Sequence, residues 1–228
     1  MIRGLTEYEK YQVIRPIWKA HEHDRYDFPI IHRPERKVDF EALTATSFKN
    51  LSPKKDNSNT LALMFSYDKQ LKSLWENPLK MIPVFQTCAA VATPDFSAYP
   101  TMNSNDIRHN VYKSRWLGCT WQDYGCNVFP TIGWAGKKTI DLCLSGVESG
   151  CPVVISTVGC KQYLDDFLWG FDAMKERISP PLIVVYGDML PGMKGTFINF
   201  QYRDTFIRKA RQLRMEIISN VFSVKEAV

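Results

Sequence analysis

The chain has 228 residues, 45% of them apolar and 13% aromatic, enough to bury a sizeable core, and one large domain is the expectation. Its 29 Lys and Arg against 24 Asp and Glu leave a net charge of +5, which permits a nucleic-acid partner but excludes a strongly basic coat protein. No window approaches the ~18 uninterrupted apolar residues of a membrane span, and the opening MIRGLTEYEKYQ lacks an apolar signal core, so a cytoplasmic protein with no membrane partner is expected.

Residues 1–59 are rich in charge, proline and aromatics and read as an N-terminal arm packed on the body. Thr6 with Glu9 forms a capping box ahead of a short amphipathic helix. His21 and His23 have no third ligand at zinc spacing and read as a surface pair, and His32 and His109 add none, so no metal is assigned and the cofactor stays unknown. The polar joint SPKKDNSN favours turns, which puts the start of the regular fold at Thr60 and a single α/β unit over 60–228.

From Thr60 onward, continuous apolar runs alternate with segments of helical period. LALMFSY precedes DKQLKSLWENP, with Asp68 placed to cap that helix. MIPVFQTCAAVA, residues 81–92, reads as the second strand. The helix after it, with Ser104 as its cap, carries Ile107, Val111, Ser114 and Leu117 on one face and Arg108, Tyr112 and Arg115 on another. NVFPTIGW then precedes a helix with Ile140, Cys143, Leu144 and Val147 on one side. PVVISTVG precedes a helix presenting Tyr163, Phe167, Gly170, Phe171 and Met174, and PLIVVYGD and GTFINFQY follow. A basic final helix over 204–221, with Arg208, Arg211 and Arg214, completes the chain. Uninterrupted apolar strands joined by helices require a parallel sheet, and six units are few for a full barrel. The expected fold is therefore α/β, a small or incomplete βα barrel with parallel strands, or alternatively an open doubly wound sheet. The six cysteines form no C-x-x-C and read as reduced core thiols.

Parallel strands bring their carboxyl ends to one rim, where ligands bind. The stretch VATPDFSAYP supplies Asp95 as the candidate catalytic acid, base or metal ligand, because Ser104 can cap the next helix without it. Phe96, Ser97, Trp134, Ser156, Thr157, Tyr186 and Asp188 stand at strand ends as pocket lining, and Arg108 and Arg115 are placed to steady an anion. A cluster of Asp68, Asp95 and Asp188 would push one carboxyl upward by like-charge repulsion. Neither a G-x-S-x-G elbow nor a P-loop is present.

The segments TPDFS, NVYKSRWLGCTWQDYGCNVFPTIGW, GCPVVISTVG and PLIVVYGD resemble an uncharacterised prokaryotic family, domain of unknown function 4417, over about 60–203. The resemblance implies an intracellular setting and a phage or other mobile-element origin; it supplies no reaction and no catalytic residues. Two functions fit the residues. The first is a strand-end pocket for a small anionic or nucleotide-like ligand, used for hydrolysis or glycosidic cleavage. The second is a non-enzymatic interaction protein that holds nucleic acid or a host protein through its arm and basic final helix.

Overall fold

The structure, a computed structural model, describes Arg15 and residues 21–201. Side chains along each strand alternate between two faces, and that alternation shapes the fold. The strands are β1 (Thr44–Ser47), β2 (Thr60–Leu63), β3 (Ala90–Ala92), β4 (Val128–Phe129), β5 (Val153–Ser156), β6 (Ile183–Tyr186) and β7 (Phe197–Phe200). Every ladder between them is parallel. They form a four-stranded sheet ordered β1-β2-β3-β4 and a three-stranded sheet ordered β5-β6-β7, joined by a parallel bridge from Thr131 to Val154.

The strands keep chain order throughout, as in a βα barrel, and the two sheets curve towards each other. Leu61, Leu63, Ala90, Ala92, Phe129, Val154, Val184, Tyr186, Ile198 and Phe200 from all strands after β1 meet in one inner core. Ala62, Val91 and Val128 point the other way, onto the helices, as do Val153, Ile155, Ile183 and Val185. Across the interior, the Phe65 ring lies flat on that of Tyr186 with centroids 4.6 Å apart. Among the described residues no ladder joins β7 to β1, so the fold is an open α/β arrangement curved like an incomplete barrel.

The crossovers are α1 (Asp68–Glu76), the one-turn α2 (Ile82–Phe85), the long α3 (Ser104–Asp123), the one-turn α4 (Ile140–Cys143) and α5 (Leu164–Ile178). Helix α3 buries Ile107, Val111, Ser114 and Leu117, the face its period predicts. Helix α5 buries Phe167, Gly170, Phe171 and Met174, while Tyr163 stays exposed because a 3-10 turn precedes the helix.

The structure differs from expectation at several points. The run 81–92 is not one strand: Pro83 sits in the first turn of α2, and only Ala90–Ala92 enters the sheet. The helix expected after NVFPTIGW is one turn long, because Gly146 takes a φ of +72° and Val147 leaves to bridge Ile31. Tyr67, not Asp68, is the N-cap of α1, and Asn103, not Ser104, caps α3 through its side chain on the Asn105 N–H at 2.9 Å. Ahead of Thr60, β1 pairs in register with β2 from Thr44↔Thr60 to Ser47↔Leu63. The Thr6 capping box and the basic final helix lie outside the described residues. No described helix is long and apolar enough to cross a membrane.

Candidate functional site

With all strands parallel, the loops after β1 to β6 open on one side into a cleft of about 1780 Å³. Of the predicted residues, Asp95, Phe96, Ser97, Arg115, Trp134, Ser156 and Tyr186 line it. Arg108, Thr157 and Asp188 do not. Arg108 faces the arm, donating to the Tyr26 carbonyl at 3.1 Å with its guanidinium over the Tyr26 ring. Thr157 is buried against β6, its N–H on the Tyr186 carbonyl at 3.0 Å. Asp188 is exposed beyond β6.

Asp95 stands at the base of the cleft, two residues past the buried Thr93. The loop holding it is fastened on several sides. The Thr93 hydroxyl accepts from the Thr131 N–H at 2.8 Å and from the Ser114 hydroxyl at 2.9 Å, tying β3, the turn after β4 and α3 together. The Asp68 carboxylate accepts the Ser97 N–H at 3.1 Å, and Asn110 donates to the Ser97 carbonyl at 2.7 Å. Asp68 thus clamps the PDFS loop from the first turn of α1.

The Asp95 carboxyl is pushed up to about 7, first by burial and then by the nearby charge of Asp68. Among the described residues no hydrogen bond steadies its ionised form. Its Oδ1 would stand only 3.8 Å from a Cβ on Gly133, and across the cleft the Cys160 thiol feels its charge. The PDFS, TIGW and STVGC turns therefore converge on this carboxyl. Above Phe96, the Lys113 ammonium lies 4.1 Å from the ring centroid; burial lowers its proton affinity and Asp68 opposes that shift.

Arg115 has a different role from the anion grip its helical stripe predicts. It is 2% exposed, and it donates to the carbonyls of Ser145 at 2.8 Å, Thr131 at 3.1 Å and Cys143 at 2.8 Å. Burial lowers its pKa to about 10, which still leaves it charged at neutral pH. Its stem crosses the backbone at Gly146, where a Cβ would come within 2.8 Å of Arg115 Cγ. Arg115 is the knot beneath the cleft, holding the loops that follow β4 and α4.

Trp134 forms one wall by packing on Phe167, with centroids 5.1 Å apart, and on the bare backbone of Gly170. A Cβ at Gly170 would fall 2.3 Å from Trp134 Nε1. Gly170→Ala is therefore expected to lose about 1–3 kcal/mol in denaturant unfolding and to change Trp134 fluorescence, since a rigid indole cannot yield without moving the wall. An unchanged spectrum and unfolding midpoint would show that the wall is pliable.

A second feature of the cleft is only partly legible in the sequence, where Tyr99 stands out as bulky for a solvated loop and Tyr67 follows a strand. Of the six large apolar side chains that stand exposed among the described residues, all but Phe40 line it: Tyr67, Tyr99, Val158, Tyr163 and Trp169. Concentration of exposed aromatics in one concavity is a mark of a binding surface. For Tyr67 and Tyr99 the signal lay in the sequence as aromatics in the connections after β2 and β3, whereas Trp169 sits within α5 and nothing local marks it.

The model of one family, described as a domain of unknown function (DUF4417), matches residues 22–203. The chain belongs to the DUF4417 family. The match begins within the arm, so the family includes β1 as well as the later strands. The chain is also similar to the Gene 1 protein of Mycobacterium phage D29, 36% identical over 126 residues, covering 54% of this chain and 47% of that protein. It is 34% identical over 128 residues to the Gene 1 protein of Mycobacterium phage L5, covering 55% of this chain and 56% of that protein. This DUF4417 chain thus spans about half the length of the curated phage relatives it matches. No solved structure matches it.

Proposed function

We propose that the strand-end cleft is an acid–base site for a small anionic, nucleotide-like ligand, and that its reaction is cleavage of a glycosidic bond with Asp95 as general acid. The observation that carries this reading is a carboxyl at the base of a cleft whose pKa of about 7 keeps a proton available near neutrality. Hydrolysis then places the hydroxyl of water on the anomeric carbon. The departing base nitrogen takes the proton of Asp95, and the remaining proton of water restores it. The half-buried face of Trp134 supports a planar base, and Lys137 and Lys49 on the cleft walls attract its phosphate. Because Arg115 is committed to three carbonyls, it frames the site instead of gripping the anion.

The test is a panel of purine and pyrimidine nucleosides and their 5′-monophosphates. At least one member is expected to raise the thermal midpoint, and chromatography should show free base released by the wild-type chain but not by Asp95→Asn. A panel that neither shifts the midpoint nor releases base overturns the reading.

A further inference from the structure

Small-molecule sites usually enclose roughly 300–1,000 Å³, and this cleft of about 1780 Å³ exceeds that range. Its exposed aromatics come from different connections around it: Tyr67 at the start of α1, Tyr99 in the loop after β3, Tyr163 in the 3-10 turn before α5 and Trp169 within α5. One small ligand would leave most of these rings bare.

We propose that the cleft takes single-stranded nucleic acid, with successive bases stacked on Tyr67, Tyr99, Tyr163 and Trp169 and the strand passing over Asp95. The proposal rests on the acid–base reading of the same site and names its substrate as a polymer. Stacked aromatics beside cations are the physical signature of single-strand binding, since every base offers a flat face and every nucleotide a negative charge. The Lys137 ammonium lies 5.4 Å from the Trp169 ring centroid, within reach of a phosphate next to a base stacked there. Lys49 and Lys55 add cations at the β1 end, where Lys49 also donates to Gln70, in a lining that also holds Asp56, Asp68 and Asp166. An oligosaccharide would use the same rings but has no need of these lysines, which favours the nucleic acid.

Fluorescence anisotropy with a labelled 12-nucleotide DNA of mixed sequence, its RNA counterpart, adenosine 5′-monophosphate and chitohexaose separates the alternatives. The full chain is expected to bind one or both oligonucleotides at least tenfold more tightly than the mononucleotide, and to bind them more weakly as salt rises. Tyr67→Ala and Tyr99→Ala, both at exposed positions, should each weaken oligonucleotide binding by about fivefold or more while leaving the unfolding midpoint in place. Equal affinity for oligonucleotide and mononucleotide overturns the polymer inference and leaves the acid–base reading standing. Preference for chitohexaose, or indifference to both aromatic substitutions, overturns the inference as well.

Discussion

Replacing Arg115 with methionine is expected to lower unfolding stability by about 4 kcal/mol, whereas Arg108→Met, two turns earlier on α3, should change it by no more than about 0.5 kcal/mol. The contrast follows from where the two guanidinium groups end. Arg115 is buried and satisfies three carbonyls from the turn after β4 and the loop around α4. Methionine fills much of the same space but leaves those mostly buried acceptors without donors. Each orphaned acceptor costs about 1–3 kcal/mol, less than additively where the loop relaxes. Arg108 is exposed and reaches one carbonyl, that of Tyr26, which solvent can serve instead. In a domain of this size the Arg115 loss corresponds to roughly 8–16 °C in thermal midpoint. Arg115→Lys should fall between, because one ammonium cannot span three diverging carbonyls. Urea unfolding of the three variants measures this directly, and equal midpoints for Arg115→Met and Arg108→Met would remove Arg115 as the knot of the fold.

Under the proposed acid–base reading, Asp95→Asn is expected to reduce base release by about 10²–10⁴-fold, and whatever the reaction it should make the protein more stable at alkaline pH. The rate falls because asparagine has no proton to donate. The stability gain follows from linkage. The folded carboxyl titrates near 7 against an ordinary value of 3.8, so between these values the folded state binds more protons than the unfolded one. Its favourable contribution is complete below about pH 4 and declines as pH rises through 7. Because the carboxyl keeps an opening to the cleft, the loss is about 2 kcal/mol, not the larger figure full burial would give. Asparagine carries no charge at any of these pH values. The variant should therefore match wild type near pH 4 and exceed it near pH 8, as chemical unfolding at both values would show. A variant destabilised at both pH values would make Asp95 a structural residue. On the same proposed reading, wild-type base release should fall as pH rises above about 7, because the step needs the acid form.

The later strands were legible because VVIS, IVVY and FINF are buried on both faces, which forces uninterrupted apolar runs. Strand β1, with the sequence TATS, is half-buried along its length at a sheet edge, so nothing apolar marks it, and its pairing with β2 emerges only in three dimensions. The run from Met81 to Ala92 misleads because buried helix and buried strand are equally apolar over a few residues, and Pro83 decides for the helix. The convergence of polar groups at the strand ends follows from parallel order alone, and it placed Asp95, Ser97, Trp134, Ser156 and Tyr186 on one cleft. The period of α3 puts Arg108 and Arg115 on one stripe, but it cannot show that the neighbouring loop roofs over one and leaves the other in solvent. Asp68 likewise has the sequence context of a cap, and only the fold brings the Ser97 N–H to its carboxylate.

The central claim is that the fold holds a proton on Asp95 near neutral pH in an open cleft. Carboxyl ¹³C NMR of aspartate-labelled protein, with Asp95→Asn to assign the resonance, measures it without any knowledge of the substrate. A midpoint near 7 is the expected result. A midpoint near the ordinary 3.8 would contradict the account.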